Sequence, residues 1–280
     1  SWRGYAHNYH RWRGLDVAVK IENGYYPRFE NFTVTNGYSS ENSVAAGIYT
    51  YGNDATIKNI IIKNNQGAGI HSYGVWSPSR YENLLVYGNQ LGIRTGMNNE
   101  FVNCTVVDNS GLGIWSLSSN FSLTNCIVAG NTEGQIRFRN ADSPSQITVN
   151  YSNIEGSESG IDVNNNGSII WGVDNFNVDS RFVDSQNNDY HLLASSKLIN
   201  AGHPDSLDSD GTRKDIGVYP YLNSYSGPIW IVDANEGNDT FGTGALDNKF
   251  ASIQSAINFA SDGDSVSVMP GTYIENIDFR

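Results

Sequence analysis

Cysteine and basic residues are scarce in this sequence. Only Cys104 and Cys126 are present, which excludes a scaffold stapled by several disulfides and a CxxC metal site. Lysine and arginine total 17 against 29 acidic residues, and the net charge of −12 excludes a protein that binds nucleic acid through its phosphates. An apolar run of about 18 residues, as a membrane span requires, is absent, so we predict no membrane span. An acidic, soluble composition of this kind is expected of an extracellular bacterial protein.

Asparagine and glycine are abundant instead. The 280 residues include 35 Asn and 29 Gly. Both residue types adopt the left-handed backbone conformation at little cost. The composition therefore predicts a fold with many tight turns.

Two short sequence motifs recur along residues 30–170. One consists of Asn, an apolar residue, any residue, and Val or Ile, and it starts at Asn31, Asn59, Asn83, Asn103 and Asn125. The other is a Gly-Ile-like pair whose isoleucine falls at Ile48, Ile70, Ile93, Ile114, Ile136 and Ile161. Because the spacing stays between 21 and 25 residues, it predicts a solenoid with strands in register and loops of variable length.

The local pattern indicates the kind of repeat. Short alternating runs broken by Gly and Asn favour strands over helices, and the stacking of like residues favours parallel pairing. Alternation places three columns inside: the isoleucines, a column of Phe32, Ile60, Leu84, Cys104 and Cys126, and a column of Val34, Ile62, Val86, Val106 and Val128. Six residues after each starting Asn we predict a ladder of hydrogen-bonded turn residues at Gly37, Asn65, Asn89, Asn109 and Asn131.

The stacked Cys104 and Cys126 are predicted to be free thiols in the core. Stacked strands lie about 4.8 Å apart, which also leaves a disulfide geometrically allowed.

Residues 30–170 resemble the repeats of bacterial secreted right-handed β-helix proteins of the pectate-lyase-like superfamily. The segments 189–202 and 208–219 are similar to the end of such proteins, and 231–239, 250–257 and 263–276 are similar to their beginning. The resemblance implies an all-β, right-handed parallel β-helix with one short amphipathic capping helix near the C-terminus. The apolar stripe of that helix is predicted at Phe250, Ile253, Ala256, Ile257 and Ala260.

The order of these segments is unusual, because the opening segment of the family comes last. We predict β-helix repeats with a terminal cap over 1–222, a linker over 223–228, and the opening segment of a β-helix over 229–280. The last part either begins a tandem solenoid, caps the first rungs of a permuted one, or caps a neighbouring molecule head to tail. The linker is too short to return directly past seven rungs, so a permuted arrangement requires residues 172–221 themselves to run back along the solenoid.

The outward side chains after each isoleucine form the candidate site. They are Tyr49, His71, Arg94, Trp115 and Arg137, with Lys20 one rung earlier, and a second row holds Tyr51, Tyr73 and Arg139. Aromatic rings stack on sugars and Arg pairs with carboxylate or sulfate, so this face predicts a polysaccharide ligand, acidic or neutral. The simpler alternative is a solvent face of ordinary strand residues. A basic-aromatic stretch, 2–13, either adds to this surface or covers the open end of the solenoid.

The resemblance implies three chemistries. Hydrolysis needs paired carboxylates, whereas this face offers mainly Asp162 and Glu22. A calcium-dependent lyase needs clustered aspartates that the face does not have. A metal-free lyase or epimerase would use Arg94 against the substrate carboxylate, with His71 or Tyr73 as base.

Three aspartates outside that face, Asp208, Asp210 and Asp215, are similar to a calcium loop. Gly211 does not stand at the sixth position of an EF-hand loop, so we predict a turn, with calcium as the alternative.

The sequence thus predicts an extracellular β-helix that binds or acts on polysaccharide. The alternative is a structural or adhesive surface repeat that self-associates head to tail without catalysis.

Overall fold

A computed structural model describes residues 17–22, 27–39, 45–51, 54–73, 78–96, 98–117, 119–140, 142–165 and 167–279. The basic-aromatic stretch 2–13 and the side chain of Glu22 lie outside the described residues. The strands, in chain order, are β1 (Val19–Glu22), β2 (Arg28–Thr35), β3 (Ala45–Tyr51), β4 (Thr56–Lys63), β5 (Ala68–Tyr73), β6 (Arg80–Tyr87), β7 (Leu91–Thr95), β8 (Asn99–Val102), β9 (Thr105–Val107), β10 (Leu112–Ser116), β11 (Phe121–Thr124), β12 (Ile127–Ala129), β13 (Gly134–Phe138), β14 (Ser145–Asn150), β15 (Asn153–Ile154), β16 (Ile161–Asp162), β17 (Gly167–Trp171), β18 (Phe182–Asp184), β19 (Asp189–Leu192), β20 (Ile229–Val232) and β21 (Ser265–Val268). The described residues contain one α-helix, α1 (Ile253–Phe259), and two 3₁₀ turns, Ser157–Gly160 and Ser185–Asn187. No helix within these ranges has the length and apolarity of a membrane span.

Each rung of the solenoid contributes to two parallel sheets. The first sheet has the order β1-β3-β5-β7-β10-β13-β16. The second contains β2, β4 and β6, and β6 pairs with β8 through Arg80–Glu82 and with β9 through Leu85–Tyr87. Asn83 lies between these two stretches at φ 54° and turns the chain there. The predicted parallel solenoid is confirmed, with two sheets and an asparagine corner within the second.

The predicted isoleucine column is the interior of the first sheet. Ile48, Ile70, Ile93, Ile114, Ile136 and Ile161 pair in register from strand to strand, and all of them are buried. The opposing wall is built from the two predicted columns of the second sheet, of which Phe32 alone is only partly buried. One continuous apolar core therefore extends through all rungs, as repeated stacking of identical units requires.

A ladder of buried asparagines holds neighbouring rungs together, as predicted. The side chain of Asn65 donates to Asn89 Oδ1 at 2.8 Å, Asn89 to Asn109 at 3.0 Å, and Asn109 to Asn131 at 2.9 Å. Each of these Oδ1 atoms also accepts the backbone N–H of the preceding ladder residue. The ladder begins at the predicted Gly37, whose N–H donates to Asn65 Oδ1.

The corner asparagines form a second ladder that the sequence analysis did not predict. Asn59 donates to Asn31, Asn83 to Asn59, Asn103 to Asn83, and Asn125 to Asn103, at 2.9–3.1 Å. All five have φ between 53° and 66°, a conformation that asparagine tolerates better than most residues.

Cys104 and Cys126 are free and buried, as predicted. Each thiol donates to carbonyl oxygens, that of Cys104 to Tyr81 and Val102 and that of Cys126 to Phe101 and Thr124. They fill the core column between Leu84 and the last rungs.

The chain after the last rung returns over the outer face of the second sheet. There the Tyr190 ring packs against that of Tyr87, tilted by 57° with centroids 5.1 Å apart, and its hydroxyl donates to Asp108 Oδ2 at 3.0 Å. Further along, Gly217 N donates to Asn125 O at 2.9 Å. This returning segment, 182–222, buries outward apolar residues of the solenoid in a second core cluster.

Residues 229–279 pack on the returning segment. Strands β20 and β21 form their own parallel pair, and Asn258 of α1 donates to the carbonyls of Ala194 and Ser196 at 2.8 Å. The predicted short helix is confirmed, and its buried apolar residues are Ala256 and the unpredicted Phe259, whereas Ile257 is only half-buried. The domain boundaries, and the choice among tandem, permuted and head-to-tail order, stay predictions.

The buried ladder predicts that Asn109→Ala strongly destabilises the protein. The substitution removes the acceptor of the Asn89 N–H and the donor to the carbonyls of Val86 and Val107, all in the interior. Since each buried unsatisfied group costs about 1–3 kcal/mol, we expect the free energy of unfolding to fall by about 3 kcal/mol or more in urea denaturation. The exposed Asn120→Ala is the control and should change it by less than about 0.5 kcal/mol. Equal effects of the two substitutions would contradict a structural role for the ladder.

Candidate functional site

The first sheet carries a continuous line of side chains on its outer face. Each follows the inward residue of its strand, and neighbours pair in register: Lys20, Tyr49, His71, Arg94, Trp115, Arg137 and Asp162. We call this line the outer row. Because adjacent strands lie about 4.8 Å apart, the stretch from Tyr49 to Arg137 extends over roughly 19 Å.

The second predicted row is divided into two parts. Tyr51 and Tyr73 pair in register, and their rings stack with centroids 5.9 Å apart and an interplanar angle of 13°. Tyr73 is 47% exposed, so this stack faces solvent. Arg139 directly follows β13, three strands away from Tyr73.

His71 lies beneath this aromatic end of the row. It is only 7% exposed, its ring centroid is 5.3 Å from that of Tyr49, and neither ring nitrogen has a hydrogen-bond partner among the described residues. Burial, and next the Arg94 guanidinium, lower the pKa of His71 to about 3. The imidazole is therefore neutral at ordinary pH, and it is a weaker base than one whose pKa lies near the working pH.

Arg94 and Trp115 form the middle of the row. The guanidinium carbon of Arg94 lies 4.9 Å from the centroid of the Trp115 ring, a cation–π contact. Trp115 also packs against Leu91 and Leu112, which hold the indole in place. Burial, and then the nearby Arg139, lower the pKa of Arg94, so two guanidinium groups share this part of the surface.

A groove of about 570 Å³ opens beside Trp115 on the side of β13. Trp115, Arg137 and Arg139 line it, together with Glu133, Asn140 and Asn164. This volume is in the range of ligand-binding clefts. The predicted Tyr49, Tyr51, His71, Tyr73 and Arg94 lie outside its lining, so the face consists of an aromatic end, Arg94 beside Trp115, and a cationic groove.

Glu133 is the charged residue of the described groove lining that the sequence analysis missed. It precedes β13 in a turn, and the prediction considered only residues on the strands. Glu133 stands directly before Gly134, the first residue of β13. The equivalent residues on the preceding rungs are Gln90 and Gly111, which also line the groove. Alignment of the turns, in addition to the strands, is the signal that could have found it.

The charges of the groove restrict its chemistry. Arg137 Nε is 3.1 Å from Asp162 Oδ2, and its terminal nitrogen donates to the Glu133 carbonyl. Glu133 is thus the one carboxylate among the described lining residues, whereas glycoside hydrolysis requires two.

A family model described as "Right handed beta helix region" matches residues 17–180, more than half of the chain. The chain belongs to the right-handed β-helix family. Neither a curated protein nor a solved structure gives a significant match.

In this right-handed β-helix the predicted turn aspartates lie in the returning segment. Asp208 is buried and accepts from Lys214 Nζ and from the N–H of Asp215, and Asp210 accepts from the N–H of Asn223 at 2.8 Å. These oxygens therefore fix the local chain path. Within the described ranges, no cluster of three or more His, Cys, Asp and Glu side chains has the arrangement of a metal site.

Asp215 is the most perturbed carboxyl of this turn. Its oxygens accept the N–H groups of Asn200 and Tyr221, both at 2.6 Å. Burial raises the pKa of Asp215 to about 7, the Asp208 and Asp210 carboxylates act in the same direction, and the two hydrogen bonds oppose the shift.

The raised pKa of Asp215 predicts that stability falls as pH rises. Between the pKa of an unfolded Asp, about 3.9, and about 7, the folded protein holds a proton that the unfolded chain has lost. The free energy of unfolding should therefore decrease from pH 4 to pH 7, by at most about 1.4 kcal/mol per pH unit from this group.

Asp215→Asn should flatten this slope, although it loses one hydrogen bond and lowers stability at pH 4. Urea denaturation at several pH values measures the slope, and the exposed Asp247→Asn should leave it unchanged. The same slope in Asp215→Asn as in the wild type would contradict the assignment.

Proposed function

We propose that this protein is an extracellular, pectate-lyase-like β-helix that binds polysaccharide, preferably acidic, through the outer face of its first sheet. The observation that carries the proposal is the juxtaposition of Arg94, Trp115, Arg137 and Arg139 beside the groove. A protein with a net charge of −12 has three of its 17 basic residues there. Clustered guanidinium groups are suited to carboxylate or sulfate, which they bind through paired hydrogen bonds.

The aromatic residues suit a sugar chain in particular. Trp115 is anchored from below and borders the groove, and the stacked Tyr51 and Tyr73 face solvent at the other end of the face. Rings that are fixed before binding lose little conformational entropy when a ligand stacks on them. The rings at the two ends of the face are therefore each suited to stack on a sugar unit of the ligand.

Binding is better supported than catalysis. A lyase or epimerase would need a base near Arg94, and the predicted His71 is buried with a pKa of about 3. Tyr73 is exposed, but it lies outside the groove. The proposal therefore assigns these residues to the recognition surface and not to proton transfer.

The double substitution Arg94→Ala with Trp115→Ala tests the proposed site. It removes the guanidinium and the ring that it covers, and we expect the Kd for polygalacturonate to rise by roughly tenfold or more, since a charge-assisted hydrogen bond is worth about 1.5–3 kcal/mol. Isothermal titration calorimetry measures the change. Binding should also weaken as salt is added, because partly exposed charges are screened.

Arg80→Ala is the matched control. Arg80 is also an exposed arginine in a strand, but it belongs to the second sheet and pairs with Glu82 and Glu100. It should leave the Kd unchanged. Weak binding that is identical in the wild type and the double variant would overturn the proposed function.

The alternative proposal is a self-associating structural repeat, and exposed apolar residues favour it. Val268, Ile274, Ile277 and Phe279 are 41–95% exposed on the segment that caps a neighbouring molecule in the head-to-tail alternative. Light scattering against protein concentration tests this proposal. Head-to-tail association predicts that the average molecular mass rises with protein concentration and that the double substitution Ile274→Ser with Phe279→Ser abolishes this rise. A mass that stays constant would contradict it.

A further inference from the structure

The groove carries opposite charges at the two ends of β13. Glu133 precedes the strand and Arg139 follows it. The five-residue strand between them, Gly134–Phe138, spans about 13 Å from its first to its last Cα atom. The groove therefore crosses the outer face along the strand, from a carboxylate at one end to a guanidinium at the other.

Both charged groups lie on exposed residues at the surface. Among the described residues, the Glu133 carboxylate and the Arg139 guanidinium have no hydrogen bond or ion pair, and both residues are exposed. Arg137, on the strand between them, differs because it pairs with Asp162. Both groups are thus available to a ligand, and no ion pair joins them in the described part of the chain.

The Arg139 end suits an anion. Arg139 lies near enough to Arg94 for the two like charges to repel, and an anionic group between them would relieve this repulsion. The Glu133 end suits the opposite chemistry. A carboxylate accepts hydrogen bonds only, so it repels a uronate and attracts an ammonium group.

We infer that the groove selects a polysaccharide in which an acidic sugar and an amino sugar with a free amino group occur in one chain, with Arg139 on the acid and Glu133 on the amine. The inference rests on the proposed function and names its ligand class. A homopolymer of uronate would satisfy the Arg139 end and would be repelled at the Glu133 end.

The test compares two forms of one polymer, an alternating chain of glucuronate and glucosamine with the amines either free or N-acetylated. We expect the wild type to bind the free-amine form about fivefold more tightly, as one ion pair of about 1 kcal/mol would give. The net charge of −12 also favours the less negative free-amine form, so the contribution of Glu133 is measured with single-charge variants.

Three variants make the test specific. Glu133→Gln should bring the ratio of the two affinities close to one, and Arg139→Gln should weaken both forms by similar factors. Glu158→Gln removes the same charge from an exposed turn outside the groove lining and should keep the fivefold ratio.

The outcomes separate this inference from the proposed function. The inference is overturned if Glu133→Gln leaves the ratio of the two affinities unchanged, or if the wild type binds the acetylated form more tightly. In either case, a loss of polygalacturonate binding in the Arg94 and Trp115 variant still supports the proposed function. If the wild type binds none of the polymers, both proposals fall.

Discussion

The hydrogen bonds of the buried asparagine ladder determine the register on which the rest of the molecule depends. The side chains of Asn65, Asn89, Asn109 and Asn131 each accept a backbone N–H of the preceding rung and donate to a carbonyl of that rung. A shift by one residue would break these bonds and would also turn the isoleucine column from the core to solvent. Apolar columns alone fit several registers because their members are similar, whereas the directional ladder fits one.

That register also arranges the outer face. Since the isoleucine of each strand must point inward, the next residue must point outward, and residues from different rungs are brought into one line. Arg94 and Trp115 are 21 positions apart in the sequence and in contact in the fold, because they stand at the same place in consecutive rungs. A change in their identity leaves the isoleucine column untouched, because that column lies on the opposite face of the sheet.

The sequence spacing was sufficient to predict the parts of the molecule that repeat. The isoleucine column, the buried ladder and the order of the outer row follow from a constant period and the alternation of strands. The parts that occur once were not predictable in this way. Glu133 lies in a turn whose length varies between rungs, and the burial of His71 depends on the neighbouring Tyr49 and Arg94, which its own strand does not reveal. The resemblance to known endings marked residues 189–219 as a terminal segment, but not the sheet face that it covers.

The returning segment explains which outer face remains for a ligand. The outward residues Leu85, Tyr87, Val107 and Ile127 of the second sheet are apolar, and the returning segment buries them. The outer row of the first sheet is charged or aromatic, with polar atoms that would need partners if they were covered by a protein segment. The same solenoid thus has one face made for internal packing and one made for polar contact. Because the two faces are outward positions of the same rungs, the difference lies in side-chain identity and not in backbone shape, and it is this difference that directs the binding proposal to the first sheet.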